Sequence, residues 1–112
     1  MPNVPISAYK EINGLVFTSG QIHLKNGVLL EGNATELTRQ VMENLQVVLV
    51  TAQTSFKNVL KTTIYLTDMS CYGEVNEVYA SYFNDSYPAR EVIGVKELPL
   101  GARIEISLIA TK

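Results

Sequence analysis

Two charged residues fall where a β-strand would ordinarily carry apolar or neutral ones. Arg90 follows directly on Pro88-Ala89 at the start of a β-rich run, and Glu105 stands between Ile104 and Ile106 inside another. An arginine presents a planar fork of donors that can grip a carboxylate with two parallel hydrogen bonds. A partly enclosed glutamate can hold a water and take its proton. Together they suit chemistry on a small acid, or else an ion pair at an interface between chains, which is costly to desolvate. Other reactive residues are sparse. His23 is the one histidine and Cys71 the one cysteine, so a disulfide framework within the chain and a multi-cysteine zinc site are both excluded. His23 reads as a surface or hydrogen-bonded residue and Cys71 as a packed thiol. No phosphate-cradling glycine loop or nucleophile elbow is present, and neither a metal nor a cofactor is expected.

The elements that must position Arg90 and Glu105 follow from periodicity. Ser7 to Ile12 reads as a strand, Asn13-Gly14 as a tight hairpin turn, and Leu15 to Gln21 as a second strand. Lys25-Asn26-Gly27 offers another turn before a short strand at Val28 to Leu30. Asn33, with Glu36 three residues on, has the pattern of a helix cap. Leu37, Val41, Leu45, Val48, Leu49 and Ala52 then form an apolar stripe, so a helix is expected from about Thr35 to Gln53. A strand follows at Val59 to Thr67. A second helix, capped by Ser70, carries Tyr72, Val75, Val78, Tyr79, Tyr82 and Phe83 on its stripe and stops before Pro88. The last strands are Ala89 to Val95 and Arg103 to Ala110.

The order β-β-(β)-α-β-α-β-β describes one α/β (α+β) domain over residues 1–112, a single mixed sheet with two helices on one face. Both faces of its strands carry apolar residues: Val16 opposes Phe17, Ile64 opposes Tyr65, and Ile93 opposes Val92. A sheet face left bare by its own chain predicts a homo-oligomer. In the last strand Ile104, Ile106 and Leu108 face one way, so Glu105 is expected on the uncovered face. Composition narrows the function. With 112 residues, 46% hydrophobic and 18% charged, the chain is neither disordered nor membrane-spanning. Its net charge of −2 gives no basic patch for nucleic acid. The opening Met1-Pro2-Asn3-Val4-Pro5 lacks the basic and apolar regions of a signal peptide, so a cytoplasmic location is expected.

An ordered series of short motifs spans nearly the whole chain. It runs Ser19-Gly20-Gln21-Ile22, Thr38-Arg39-Gln40, Glu43-Asn44-Leu45, Val59-Leu60-Lys61-Thr62-Thr63 and Leu66-Thr67-Asp68-Met69. Asn76-Glu77-Val78-Tyr79, Tyr82-Phe83, Pro88-Ala89-Arg90, Leu98-Pro99, Gly101-Ala102 and Ile104-Glu105-Ile106 complete it. From about Pro5 to Ala110 the chain resembles the RidA (YjgF) family of reactive-intermediate enamine/imine deaminases. The resemblance implies a chorismate-mutase-like fold, a homotrimer with a central barrel, and pockets in the clefts between subunits. It implies that Arg90 clamps the substrate carboxylate, that Glu105 positions or activates the attacking water, and that Ser19 is a pocket serine. The implied reaction is cofactor-free hydrolysis of 2-enamine and 2-imine carboxylates, such as 2-aminoacrylate, 2-iminopropanoate and 2-iminobutanoate, to 2-oxo acids and ammonium. Two positions depart from that pattern. Ile6 stands where deaminating members carry a pocket tyrosine, and Glu91-Val92 follows Arg90 where many have Ser or Thr and then Cys or Thr. Tyr9 should project from the opposite face to Ile6, and Glu91 should point away from Arg90. Ile6 keeps open the alternative of a non-catalytic module that binds 2-oxo acids or other small carboxylates.

Overall fold

Each turn expected from an Asn-Gly pair is realised. In the computed structural model, which describes residues 4–112, Asn13 and Gly14 take φ of 50° and 79°, and Asn26 and Gly27 take 53° and 83°. Positive φ at both central residues is what a two-residue hairpin needs. The first pair joins β1 (Tyr9–Ile12) to β2 (Leu15–Thr18), and the second joins β4 (Leu24–Lys25) to β5 (Val28–Leu29) in a separate two-stranded ribbon. Between them lies β3 (Gln21–Ile22). The rest of the chain runs α1 (Ala34–Thr51), β6 (Val59–Leu66), α2 (Tyr72–Ala80), β7 (Ala89–Gly94) and β8 (Ile104–Thr111). Of the leader reading, Met1, Pro2 and Asn3 lie outside the described residues.

The main sheet has the order β1-β2-β8-β6-β7, with β3 also paired to β8. Only β6 and β7 are parallel, and α2 makes the crossover that parallel neighbours require. One face is buried by Ile104, Ile106, Leu108 and Ala110 of β8 with Val16, Ile64 and Leu66. Against it pack Leu37, Val41, Leu45 and Leu49 of α1 and Val75 and Tyr79 of α2. The opposite face carries Phe17, Tyr65, Ile93 and Ile109 without cover from its own chain; Phe17 is 40% and Ile93 39% exposed. Two helices on one face of a mixed sheet is the expected arrangement.

Three local expectations need correction. The strand expected over Leu15 to Gln21 is two strands. Phe17 pairs with Ile109 and Gln21 with Ile106, so four steps on one side meet three on the other. The extra residue makes a bulge. Thr18 Oγ1 accepts from the Leu108 amide at 2.9 Å, taking a role a ladder carbonyl would otherwise fill. The second helix starts later than its expected Ser70 cap. The Asp68 carboxylate accepts from the Ser70 amide at 2.9 Å and hydroxyl at 2.7 Å, which caps a short 3-10 turn over Met69–Cys71 instead. Those bonds hold the Asp68 carboxyl below its usual value. Tyr82 and Phe83 fall beyond the end of α2 and pack on Phe56, at centroid separations of 5.3 and 5.6 Å. By contrast, α1 opens on the expected reciprocal cap. Asn33 Oδ1 accepts from the Glu36 amide at 2.9 Å, and the Asn33 amide donates to Glu36 Oε1 at 3.0 Å.

Candidate active site

Arg90 is the second residue of β7, an edge strand, and strand alternation puts it on the same side as Val92, which packs against the core. Its side chain therefore meets α2. The Nη2 group donates to the Tyr72 hydroxyl at 3.0 Å, and the guanidinium carbon lies 5.1 Å from the centre of the Tyr79 ring and 5.7 Å from that of Tyr72. A cation over an aromatic face is held without a carboxylate partner. The Tyr79 hydroxyl is itself fixed by Thr62 Oγ1 at 2.8 Å, and desolvation pushes its pKa up, which keeps the phenol neutral. Asn76, Tyr79, Ala80, Tyr87, Pro88 and Arg90 line a crevice of about 280 Å³. The Asn76 Oδ1 atom is buried there with no hydrogen-bond partner among the described residues. Asn76 entered the sequence reading only within the Asn76-Glu77-Val78-Tyr79 motif, with no site role given to it.

Glu105 is the second residue of β8 and faces the other way, paired with Tyr65 on β6 and Ile22 on β3. Its carboxyl group lies directly against Gly20 in the bulge. A Cβ at position 20 would meet Glu105 Cδ at 2.7 Å and Cγ at 2.9 Å, so any larger residue there must displace the glutamate side chain. Desolvation pushes the Glu105 carboxyl pKa up, with no neighbouring cation among the described residues to offset it. Ser19, the adjoining residue, donates its hydroxyl to the Ser7 carbonyl at 2.6 Å and its amide to the Ala8 carbonyl at 2.9 Å. The fold thus gathers Ser19, Gly20 and Glu105 on one side of the sheet and sets Arg90 on the other. Within one chain, Arg90 and Glu105 form no pair.

The remaining candidates resolve as structural. His23 is buried; Nδ1 bonds the Leu30 carbonyl at 3.1 Å and Nε2 accepts from the Arg103 amide at 3.0 Å. That pairing assigns the proton to Nδ1, and desolvation holds the pKa below 6.5. Cys71 is half-buried against the core. Glu91 pairs with Lys61 at 2.6 Å, away from Arg90, as alternation requires. The first strand begins at Tyr9 rather than Ser7, so Ile6 lies outside it, while Tyr9 packs on the core. Ile6 is 64% exposed.

A family model described as Endoribonuclease L-PSP matches residues 1–112. The chain belongs to this family, the RidA (YjgF) proteins. A mouse RidA relative named 2-iminobutanoate/2-iminopropanoate deaminase is 40% identical over 96% of this chain and 82% of its own. The crystal structure of YyfA from Yersinia pestis, described as a protein of unknown function of the conserved Rid family, superposes with a TM-score of 0.94. It is 39% identical over 96% of this chain and 88% of its own. The structure of E. coli TdcF with bound serine gives 0.92 at 30% identity, covering 98% and 90%. On this RidA fold, Arg90 lines a crevice under α2 and Glu105 lies at the bulge.

Proposed function

We propose that this protein hydrolyses 2-enamine and 2-imine carboxylates, among them 2-aminoacrylate, 2-iminopropanoate and 2-iminobutanoate, to 2-oxo acids and ammonium. The observation that carries the reading is Glu105: a desolvated carboxylate near the start of β8, uncompensated by charge among the described residues, with a glycine opposite it. A glutamate serving only structure would be expected to find a partner. The relatives named imine deaminases support the same chemistry.

In the proposed reaction Arg90 binds the substrate carboxylate and so fixes the imine carbon. An enamine first takes a proton at its terminal carbon, and the reacting species is the protonated imine. Glu105 accepts a proton from a water as its oxygen attacks the imine carbon, giving a neutral carbinolamine. The glutamic acid then returns that proton to the amine nitrogen; as the C–N bond breaks and the carbonyl forms, the carboxylate takes the hydroxyl proton and passes it to the departing ammonia, which leaves as ammonium. A carboxyl with a raised pKa serves these transfers, since it sits nearer the operating pH. Because Arg90 and Glu105 occupy opposite faces of one sheet, the proposed cleft takes its arginine from one protomer and its glutamate from a neighbour. A homotrimer closed on the bare sheet face supplies such clefts. The test is release of pyruvate or 2-oxobutanoate from freshly generated imine. Wild-type protein should exceed buffer and Arg90→Ala should not; equal rates for the two proteins overturn the reading.

One feature favours a second reading, a carboxylate-binding module without turnover: Ile6 offers no hydroxyl where a catalytic phenol is expected. Saturable binding of 2-oxobutanoate by calorimetry, with no acceleration of imine hydrolysis, would identify it. A ribonuclease role, which the family model's description carries, needs cations along a phosphate backbone. This chain has nine Lys and Arg against eleven Asp and Glu, and Lys61 and Lys112 are engaged by Glu91 and Glu11.

A further inference from the structure

Arg90 touches one side-chain hydroxyl, that of Tyr72. The direction of this bond has a chemical consequence. A guanidinium can only donate, so the phenolic oxygen accepts from Nη2 and its own proton is left for another acceptor. Tyr72 opens α2, is 41% exposed, and its ring stands 5.7 Å from the guanidinium carbon, beside the crevice that Arg90 shares with Asn76 and Tyr79. An anion that docks on the Arg90 fork therefore arrives next to an O–H, on a partly exposed residue, whose proton has no acceptor among the described residues. Tyr79 cannot serve this way, because its hydroxyl is buried against Thr62.

We propose that the Tyr72 hydroxyl is a second carboxylate donor of the site, so that the substrate's acid group is held by the Arg90 fork and the Tyr72 O–H together. The proposal rests on the deaminase reading for the identity of the acid, but not for the existence of the contact. Polarisation by the guanidinium makes the phenol a stronger donor. A site with both donors favours a full carboxylate over an ester or amide, which accepts more weakly.

The test is Tyr72→Phe, which keeps the ring over Arg90 and removes only the hydroxyl. For 2-oxobutanoate, a stable product analogue, calorimetry should show about a tenfold weaker Kd than wild type, the range for one hydrogen bond to a charged group. The KM for 2-iminobutanoate should rise by the same factor with kcat nearly unchanged. On adding 2-oxobutanoate, the wild-type ultraviolet difference spectrum should carry a tyrosine perturbation that the variant lacks. An unchanged Kd, or the same perturbation in both proteins, overturns the Tyr72 assignment and leaves the deaminase reading standing. If wild type binds 2-oxobutanoate without turning over imine, the deaminase reading fails while the binding comparison still decides Tyr72.

Discussion

At position 105 the chain puts an ionisable carboxyl between two buried isoleucines and closes one side of it with the Gly20 backbone. The raised pKa means that Glu105 holds its proton more firmly in the folded chain than in the unfolded one. Its sign for stability follows. Below the ordinary value of 4.5 the group is neutral in both states, and as pH rises through the elevated folded value the desolvation cost appears. Glu105→Gln should therefore raise the thermal midpoint near neutral pH, at fixed protein concentration, and the gain should vanish in acid. The same variant should lose imine hydrolysis yet still bind 2-oxobutanoate. Gly20→Ala should move the carboxyl without removing it. A displacement near 1 Å costs about a hundredfold in rate, so kcat should fall on that scale. His23 has the opposite sign. Its pKa is lowered, so its contribution is complete above 6.5 and is lost as pH falls through the depressed folded value. Melting curves across that window should slope downward towards acid, and His23→Gln should flatten the slope.

Among the elements, α1 was the most legible. Asn33, Glu36 and a stripe at spacings of three and four specify its start, its face and its partner sheet, and all three are found. Asn33→Ala should cost about 1 kcal/mol in denaturant unfolding, the usual worth of such a cap. The turn chemistry of Asn13-Gly14 and Asn26-Gly27 was equally plain. The bulge was not, because an extra residue in one strand is defined by its partner, and β8 is more than 80 residues away in the chain. Neither Ser19 nor Gly20 marks it alone. The start of α2 was misplaced for a similar reason: Asp68 and Ser70 both cap well, and which one does so depends on the turn they share. As for the site, residue type identified Arg90 and Glu105 and the alternation of β8 gave the face of Glu105. The face of Arg90 needed the register of β7 on β6, which a sequence does not display. Asn76 and Tyr72 were read as part of a motif and part of a stripe because their roles come from Arg90 reaching back across to α2.

For the whole molecule, the separation of Arg90 from Glu105 makes a prediction that a self-contained site would not share. Arg90→Ala and Glu105→Gln proteins should each be inactive alone. Denatured together and refolded, they should regain about a quarter of wild-type activity, because random closed assembly joins an intact arginine edge to an intact glutamate face in that share of clefts. No recovery, together with sedimentation as a monomer, would place the chemistry elsewhere. The face bearing Phe17, Tyr65, Ile93 and Ile109 should be protected from hydrogen exchange in solution beyond what one chain's sheet affords.

The opposed orientation of those two side chains also bears on inheritance. In the proposed assembly each copy lends an arginine to one neighbour and a glutamate to the other, so a single polypeptide lacking both would disable every cleft it borders, including those its healthy companions had half built. Damage of that kind is dominant: mixed expression of sound and defective chains should lower activity further than the defective share alone predicts.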